Sequence, residues 1–131
     1  MSNKKILNID NLSKLSNELR KKGKKIVLCH GVFDLLHIGH IKHFQEAKSL
    51  GNILIVTVTT DEFVSKGPNR PAFTIAHRLE TLASLKDIDY VAENKWPNAI
   101  NTIKMIKPDI YCKGPDYKDS NEDITGKIKD E

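Results

Sequence analysis

Two histidines three residues apart, His37 and His40, with Gly39 between them, are the residues of this chain whose types and spacing suit chemistry on a phosphate. Each imidazole can donate hydrogen bonds to non-bridging or leaving oxygens, and a protonated ring adds charge where negative charge develops in a transition state. The pair stands in His30-Gly31-Val32-Phe33-Asp34-Leu35-Leu36-His37-Ile38-Gly39-His40, after the apolar run Ile26-Val27-Leu28-Cys29 and before a helical pattern through Ile41, Phe44, Ala47 and Lys48. That places it at a strand-to-helix turn, where a helix start offers backbone N–H groups and the positive end of its dipole to anions. Gly31 and Gly39 are expected to let a nucleotide lie against the turn, with Val32 and Phe33 adding backbone contacts. On a helix, His37 and His40 share one face and aim at one phosphate. The spacing alone also suits a surface or metal-binding pair. A metal pair needs further ligands, and Cys29 and Cys112 offer no Cys-x-x-Cys spacing.

The elements that must position this stretch follow from periodicity. A chain of 131 residues makes one domain with a core large enough to need no disulfide or metal staple. Leu12, Leu15 and Leu19 predict an outer helix over about 10–22, capped by Asp10 or Asn11 and stopped at Gly23. A strand over Lys25 to Cys29 and a helix from Gly39 to Leu50 flank the motif. Ile53 to Val58 is a continuous apolar run expected of a strand covered on both faces, and Thr59-Thr60-Asp61-Glu62-Phe63 follows its carboxyl end. Lys66-Gly67-Pro68-Asn69-Arg70-Pro71 reads as a loop. Thr74 caps a helix to about Leu85, with Ile75, Leu79, Leu82 and Leu85 on its buried side. Asp89 to Ala92 predicts a third strand. Pro97 opens a helix to Ile106, with Trp96 before it as a packing anchor, and Pro108 to Lys113 predicts a fourth strand. Such alternation predicts an α/β fold with a doubly wound parallel sheet and ligands beyond the carboxyl ends of the strands.

The net charge of +4 comes from scattered lysines, and aromatic residues are few, which favours phosphorylated small molecules over nucleic acid. Two separated cysteines, no signal peptide and no long apolar span are expected of a soluble protein of a reducing compartment, the cytoplasm, with no membrane partner.

Residues Gly31 to His40 resemble the signature of the cytidylyltransferase-like nucleotidyltransferases, which share His-x-Gly-His with class I aminoacyl-tRNA synthetases. Up to Tyr117 the chain is most similar to the nucleotidyltransferase domain of ADP-heptose synthases, and next to glycerol-3-phosphate cytidylyltransferases. The resemblance implies a Rossmann-like fold and transfer of AMP or CMP from ATP or CTP to a sugar phosphate or polyol phosphate. Pyrophosphate is released, Mg²⁺ accompanies the triphosphate, and the expected assembly is a homodimer. It implies that His37 and His40 stabilise the α-phosphate and the departing pyrophosphate, that Lys66, and more weakly Arg70, closes over the triphosphate, and that Arg78 holds nucleotide phosphates while His77 is structural.

The segment Lys113-Gly114-Pro115-Asp116-Tyr117 is similar to that of the heptose enzymes at the active-site mouth. There Lys113 can meet phosphate, Gly114 turns tightly, and Asp116 receives hydroxyl or base N–H groups. Asp34 either orders the turn or contacts substrate or metal. Thr60-Asp61-Glu62-Phe63 and His40-Ile41-Lys42 look more like the cytidylyltransferases, so ATP and CTP both stay open. Family members continue into a Ser/Thr-rich, phosphate-binding turn, and nothing after Lys118 matches it. The expectation is therefore a single domain over residues 1–131 without that segment, with a catalytically impaired nucleotide-binding module as an alternative. A synthetase fragment is disfavoured, because no Lys-Met-Ser-Lys-Ser-like loop is present.

Overall fold

In the computed structural model, which describes residues 4–64 and 73–113, the motif hangs from a four-stranded parallel sheet. Strand β1 (Ile26–Gly31) alternates between two apolar layers, as the two-residue period of a strand requires. Ile26 and Leu28 join one cluster, Val27 and Cys29 the other. With β2 (Ile53–Thr59), β3 (Tyr90–Asn94) and β4 (Ile110–Lys113), the order is β3-β2-β1-β4, every pair parallel. The chain winds outward from β1 to β3 and returns to place β4 on the other side of β1. Strand order therefore reverses beside β1, where open α/β sheets bind ligands.

Helices cover both faces. Phe44 and Ala47 of α2 (Ile38–Ser49) and Leu79 and Leu82 of α3 (Ile75–Ala83) pack on Val27, Leu54 and Val56. Leu12 of α1 (Ile9–Lys21) and Ile103 and Ile106 of α4 (Ile100–Ile106) pack on Ile26, Leu28 and Ile55. Before α1 the chain adds a short parallel bridge to the sheet edge, with Ile6 paired to Val91 and the Leu7 amide donating to the Val91 carbonyl at 3.0 Å.

Several boundaries differ from the sequence expectation for identifiable reasons. The cap of α1 is Asn8, whose side chain accepts from the Asn11 amide at 2.7 Å, so the helix starts before Asp10. Gly23, at φ +81°, follows its end as expected. Helix α4 starts at Ile100 and not at Pro97, because the Asn94 amide group donates to the carbonyls of Trp96 and Asn98, both at 2.9 Å, and wraps those residues around itself. Asp89 lies before β3 and not within it. Its carboxylate accepts from the Leu54 amide at 2.8 Å and from Lys48 Nζ at 2.6 Å, fixing the start of β2. Asp109 does the same for β1, accepting from the Ile26 amide at 2.8 Å. Thr74 caps α3 as expected.

Candidate active site

The turn from β1 into α2 is built around a left-handed residue. Phe33 has φ +49°, an uncommon conformation for a bulky side chain, and its ring is fully buried against Phe44, with ring centroids 5.3 Å apart. Burial of that ring holds the backbone in this bend. A Cβ on Gly31 would sit 2.8 Å from the Phe33 ring. The glycine expected to admit a nucleotide thus first admits the side chain that anchors the turn.

His37 and His40 do not both lie on the helix. His37 is the N-cap of α2, extended at φ −141°, and its Nδ1 accepts from the Gly39 amide at 3.0 Å. In return the His37 amide donates to Nδ1 of His40 at 3.2 Å. This is a reciprocal cap of the capping-box kind, with imidazoles in place of a hydroxyl and a carboxylate. The rings stand 4.3 Å apart, that of His37 exposed and that of His40 buried against the edge of Phe33. A ring nitrogen that accepts carries no proton, so the network assigns the ring proton of each histidine to Nε2. Two N–H donors are thereby fixed at one helix start. The Gly39 amide, expected to await an anion, is taken by His37. A Cβ on Gly39 would lie 2.7 Å from His37 Cε1, so this glycine makes room for the imidazole itself.

Arg78 requires a correction. The nucleotide phosphates were its expected partner, but its guanidinium is only 1% exposed and every nitrogen of it is engaged within the protein. Nε donates to the Phe73 carbonyl at 3.1 Å, one terminal nitrogen to the Val32 carbonyl at 2.8 Å and the other to Asp61 Oδ1 at 2.5 Å. Arg78 therefore ties the motif turn, the start of α3 and the end of β2 together. Asp34 lies beside it and accepts from the Phe73 amide at 2.9 Å. His77 stacks on Phe73, with ring centroids 4.5 Å apart. Lys113 ends β4 as the register partner of His30, beside the motif. Lys66, Arg70, Gly114 and Asp116 lie outside the described residues.

Three groups at the strand ends were not singled out from the sequence. His30, next to Gly31, has Nδ1 3.0 Å from Thr57 Oγ1 and Nε2 3.4 Å from Thr59 Oγ1. Burial pushes its pKa down to about 4, only partly countered by the hydrogen bond to Thr57. Its alternation with Ile26 and Leu28 was the available signal. Thr60 donates to Glu93 at 2.5 Å. The third is the buried pair in which Thr102 donates to Asn94, fastening α4 to the end of β3. Among the described residues, no group of three or more His, Cys, Asp or Glu side chains is arranged to hold a metal ion.

A doubly wound parallel sheet whose first strand-to-helix turn carries a His-x-Gly-His cap defines the class, the Rossmann-like nucleotidyltransferases. The family model described as cytidylyltransferase-like matches residues 28–130, and the chain belongs to that family. It is 44% identical over 115 residues to a bifunctional protein HldE of Nitratiruptor sp., covering 86% of this chain and 25% of the relative. To the bifunctional protein HldE of Aliarcobacter butzleri it is 40% identical over 133 residues, covering 99% of this chain and 28% of the relative. The chain thus spans about a quarter of the length of these curated relatives. A lipopolysaccharide core biosynthesis protein from Thermoplasma volcanium matches in structure with a TM-score of 0.67 and 35% identity, over 73% of this chain and 79% of that one.

Proposed function

We propose that this domain transfers a nucleoside monophosphate, AMP in the leading reading, from a nucleoside triphosphate to a sugar phosphate of the heptose 1-phosphate kind. The observation that carries it is the reciprocal cap, which holds two imidazoles 4.3 Å apart at the helix start with Nδ1 of each accepting from a backbone amide. Identity to two bifunctional HldE proteins and likeness to a lipopolysaccharide core biosynthesis protein support the sugar phosphate acceptor. The cytidylyltransferase-like family description supports CMP transfer to a polyol phosphate, such as glycerol 3-phosphate, as the second reading.

In the proposed reaction an oxygen of the acceptor's phosphate attacks the α-phosphorus. A new P–O bond forms, the bond from the α-phosphorus to the bridging oxygen breaks, and pyrophosphate departs. The attacking oxygen is anionic near neutral pH, so the protein's task is alignment and charge stabilisation, with no base required. His37 and His40 donate to the α-phosphate and leaving oxygens. Phe33 and Arg78 hold the turn that presents them, and Lys66 and Lys113 supply positive charge to the phosphates. Mg²⁺ enters with the substrate as the metal–triphosphate, where it offsets charge on the β and γ groups. A homodimer in the cytoplasm completes the proposal. Among the described residues no helix is long and apolar enough to cross a membrane.

The test is pyrophosphate release by the purified chain with Mg²⁺, offering ATP and CTP against heptose, hexose and glycerol phosphates. Turnover with ATP and a heptose 1-phosphate is expected. Turnover only with CTP and glycerol 3-phosphate selects the second reading, and nucleotide binding without turnover selects a binding module.

A further inference from the structure

On the face of β1 away from His30 lies a pair of groups that nucleotide transfer does not use. Cys29 and Cys112 are register partners on the adjacent strands β1 and β4, and both are buried in the layer under α2 and α3. The neighbouring Cys112 thiol and burial hold the Cys29 pKa well above its ordinary value, and Nε2 of His43, on α2, lies 3.8 Å from Cys29 Sγ. Neighbouring strands run about 4.8 Å apart, inside the span of roughly 4.4–6.8 Å between Cα atoms that a disulfide bridges. Partners in a parallel ladder point to the same face, so only a small approach of the Cβ atoms separates this dithiol from a bridge.

We propose that Cys29 and Cys112 are an oxidant-responsive modification site that closes into an intramolecular disulfide between β1 and β4 when a peroxide reaches it. Cys29 sulfur attacks one peroxide oxygen as its proton passes to His43 Nε2. The O–O bond breaks, leaving Cys29 as a sulfenic acid, and the departing hydroxide takes the proton back as water. Cys112 sulfur then attacks the sulfenic sulfur. The S–S bond forms, the S–OH bond breaks, and the hydroxyl leaves as a second water with the proton of Cys112. Both sulfurs are oxidised by one electron each and the peroxide is reduced by two. Burial sets the rate of this step, through local opening of the four-residue strand β4. Geometry sets the product.

The bond would lie two residues before Gly31 on one strand and one residue before Lys113 on the other. Drawing these strands together shifts the motif turn against the end of β4. On the functional reading above, the oxidised form therefore transfers nucleotide more slowly, and reductant restores it.

The experiment treats the full chain, under native conditions, with hydrogen peroxide and maps its peptides by mass spectrometry without reduction. The expected result is a monomeric chain with a peptide cross-link between Cys29 and Cys112, reversed by dithiothreitol and absent from Cys112→Ser. Cys112→Ser that fails to fold is replaced by Cys112→Ala, with the circular dichroism of each variant as the check. Recovery of both cysteines as alkylatable thiols, as separate sulfinic acids, or in bridges between chains overturns the proposal. The cross-link is read from mass alone, so it stands or falls apart from nucleotide transfer. Retention of full turnover by the cross-linked chain removes the regulatory consequence.

Discussion

One terminal nitrogen of Arg78 donates to the carbonyl of Val32 at 2.8 Å, the residue before the left-handed Phe33, while the other pairs with Asp61 at 2.5 Å. A buried guanidinium thus braces the turn that presents the two motif histidines. Arg78→Ala is expected to cost about 1–3 kcal/mol, because the part-buried bonds to the Phe73 and Val32 carbonyls are lost together with the packing of the buried side chain. Asp61→Asn keeps an oxygen acceptor for the guanidinium and removes only the charge, so it should cost less than Arg78→Ala. Urea denaturation of both variants checks the ordering. Unchanged stability of Arg78→Ala with weakened triphosphate binding would return Arg78 to the phosphates.

The two motif glycines should separate by substitution. Gly31→Ala drives a Cβ to 2.8 Å from the fully buried Phe33 ring, and overpacking of this kind costs about 1–3 kcal/mol. Gly39→Ala meets only the exposed His37 ring, and alanine gains roughly 1 kcal/mol in helix propensity, so stability should change little. Turnover should nevertheless fall by up to about a hundredfold as the imidazole is displaced. Thermal melts paired with turnover decide the matter. A Gly39→Ala variant with wild-type turnover contradicts the placement of His37.

His30 gives the fold a pH dependence of known sign. Its pKa is about 4 in the folded chain against an ordinary 6.5, so between those values the unfolded chain takes up a proton that the native one refuses. Stability is therefore fully present above pH 6.5 and is lost as pH falls toward 4. At 1.36 kcal/mol per pKa unit, the loss is about 3 kcal/mol. Denaturant titrations of wild type and His30→Asn at pH 7 and 4.5 isolate it from the carboxylates. Equal losses in the two proteins would remove the assignment.

The sequence displayed the sheet more readily than the site. Ile26-Val27-Leu28-Cys29 and Ile53 to Val58 are apolar runs bounded by breakers, and Thr74 is an N-cap before a clear helical stripe, so these elements were legible. Pro97 misled because a first-turn proline and a proline in the loop wound round Asn94 look alike locally. The spacing of His37 and His40 carried two meanings at once. Three residues is the separation of a shared helix face and also of N-cap and third helical position in a capping box. Only coordinates show that His37 stands outside the helix. Arg78, whose expected partner is phosphate, lies three residues after Ile75 and four before Leu82, on the buried stripe of α3. An arginine on such a stripe needs an internal partner, and Asp61 is too distant in sequence for any local pattern to name it.

The most direct measurement is pyrophosphate release with Mg²⁺, ATP and a heptose 1-phosphate, comparing the wild-type chain with His37→Ala and His40→Ala. Steady turnover in the wild type and a fall of about a hundredfold or more in each variant, as for loss of an oxyanion donor, are predicted. Wild-type turnover that survives either substitution unchanged would contradict the role assigned to the paired imidazoles.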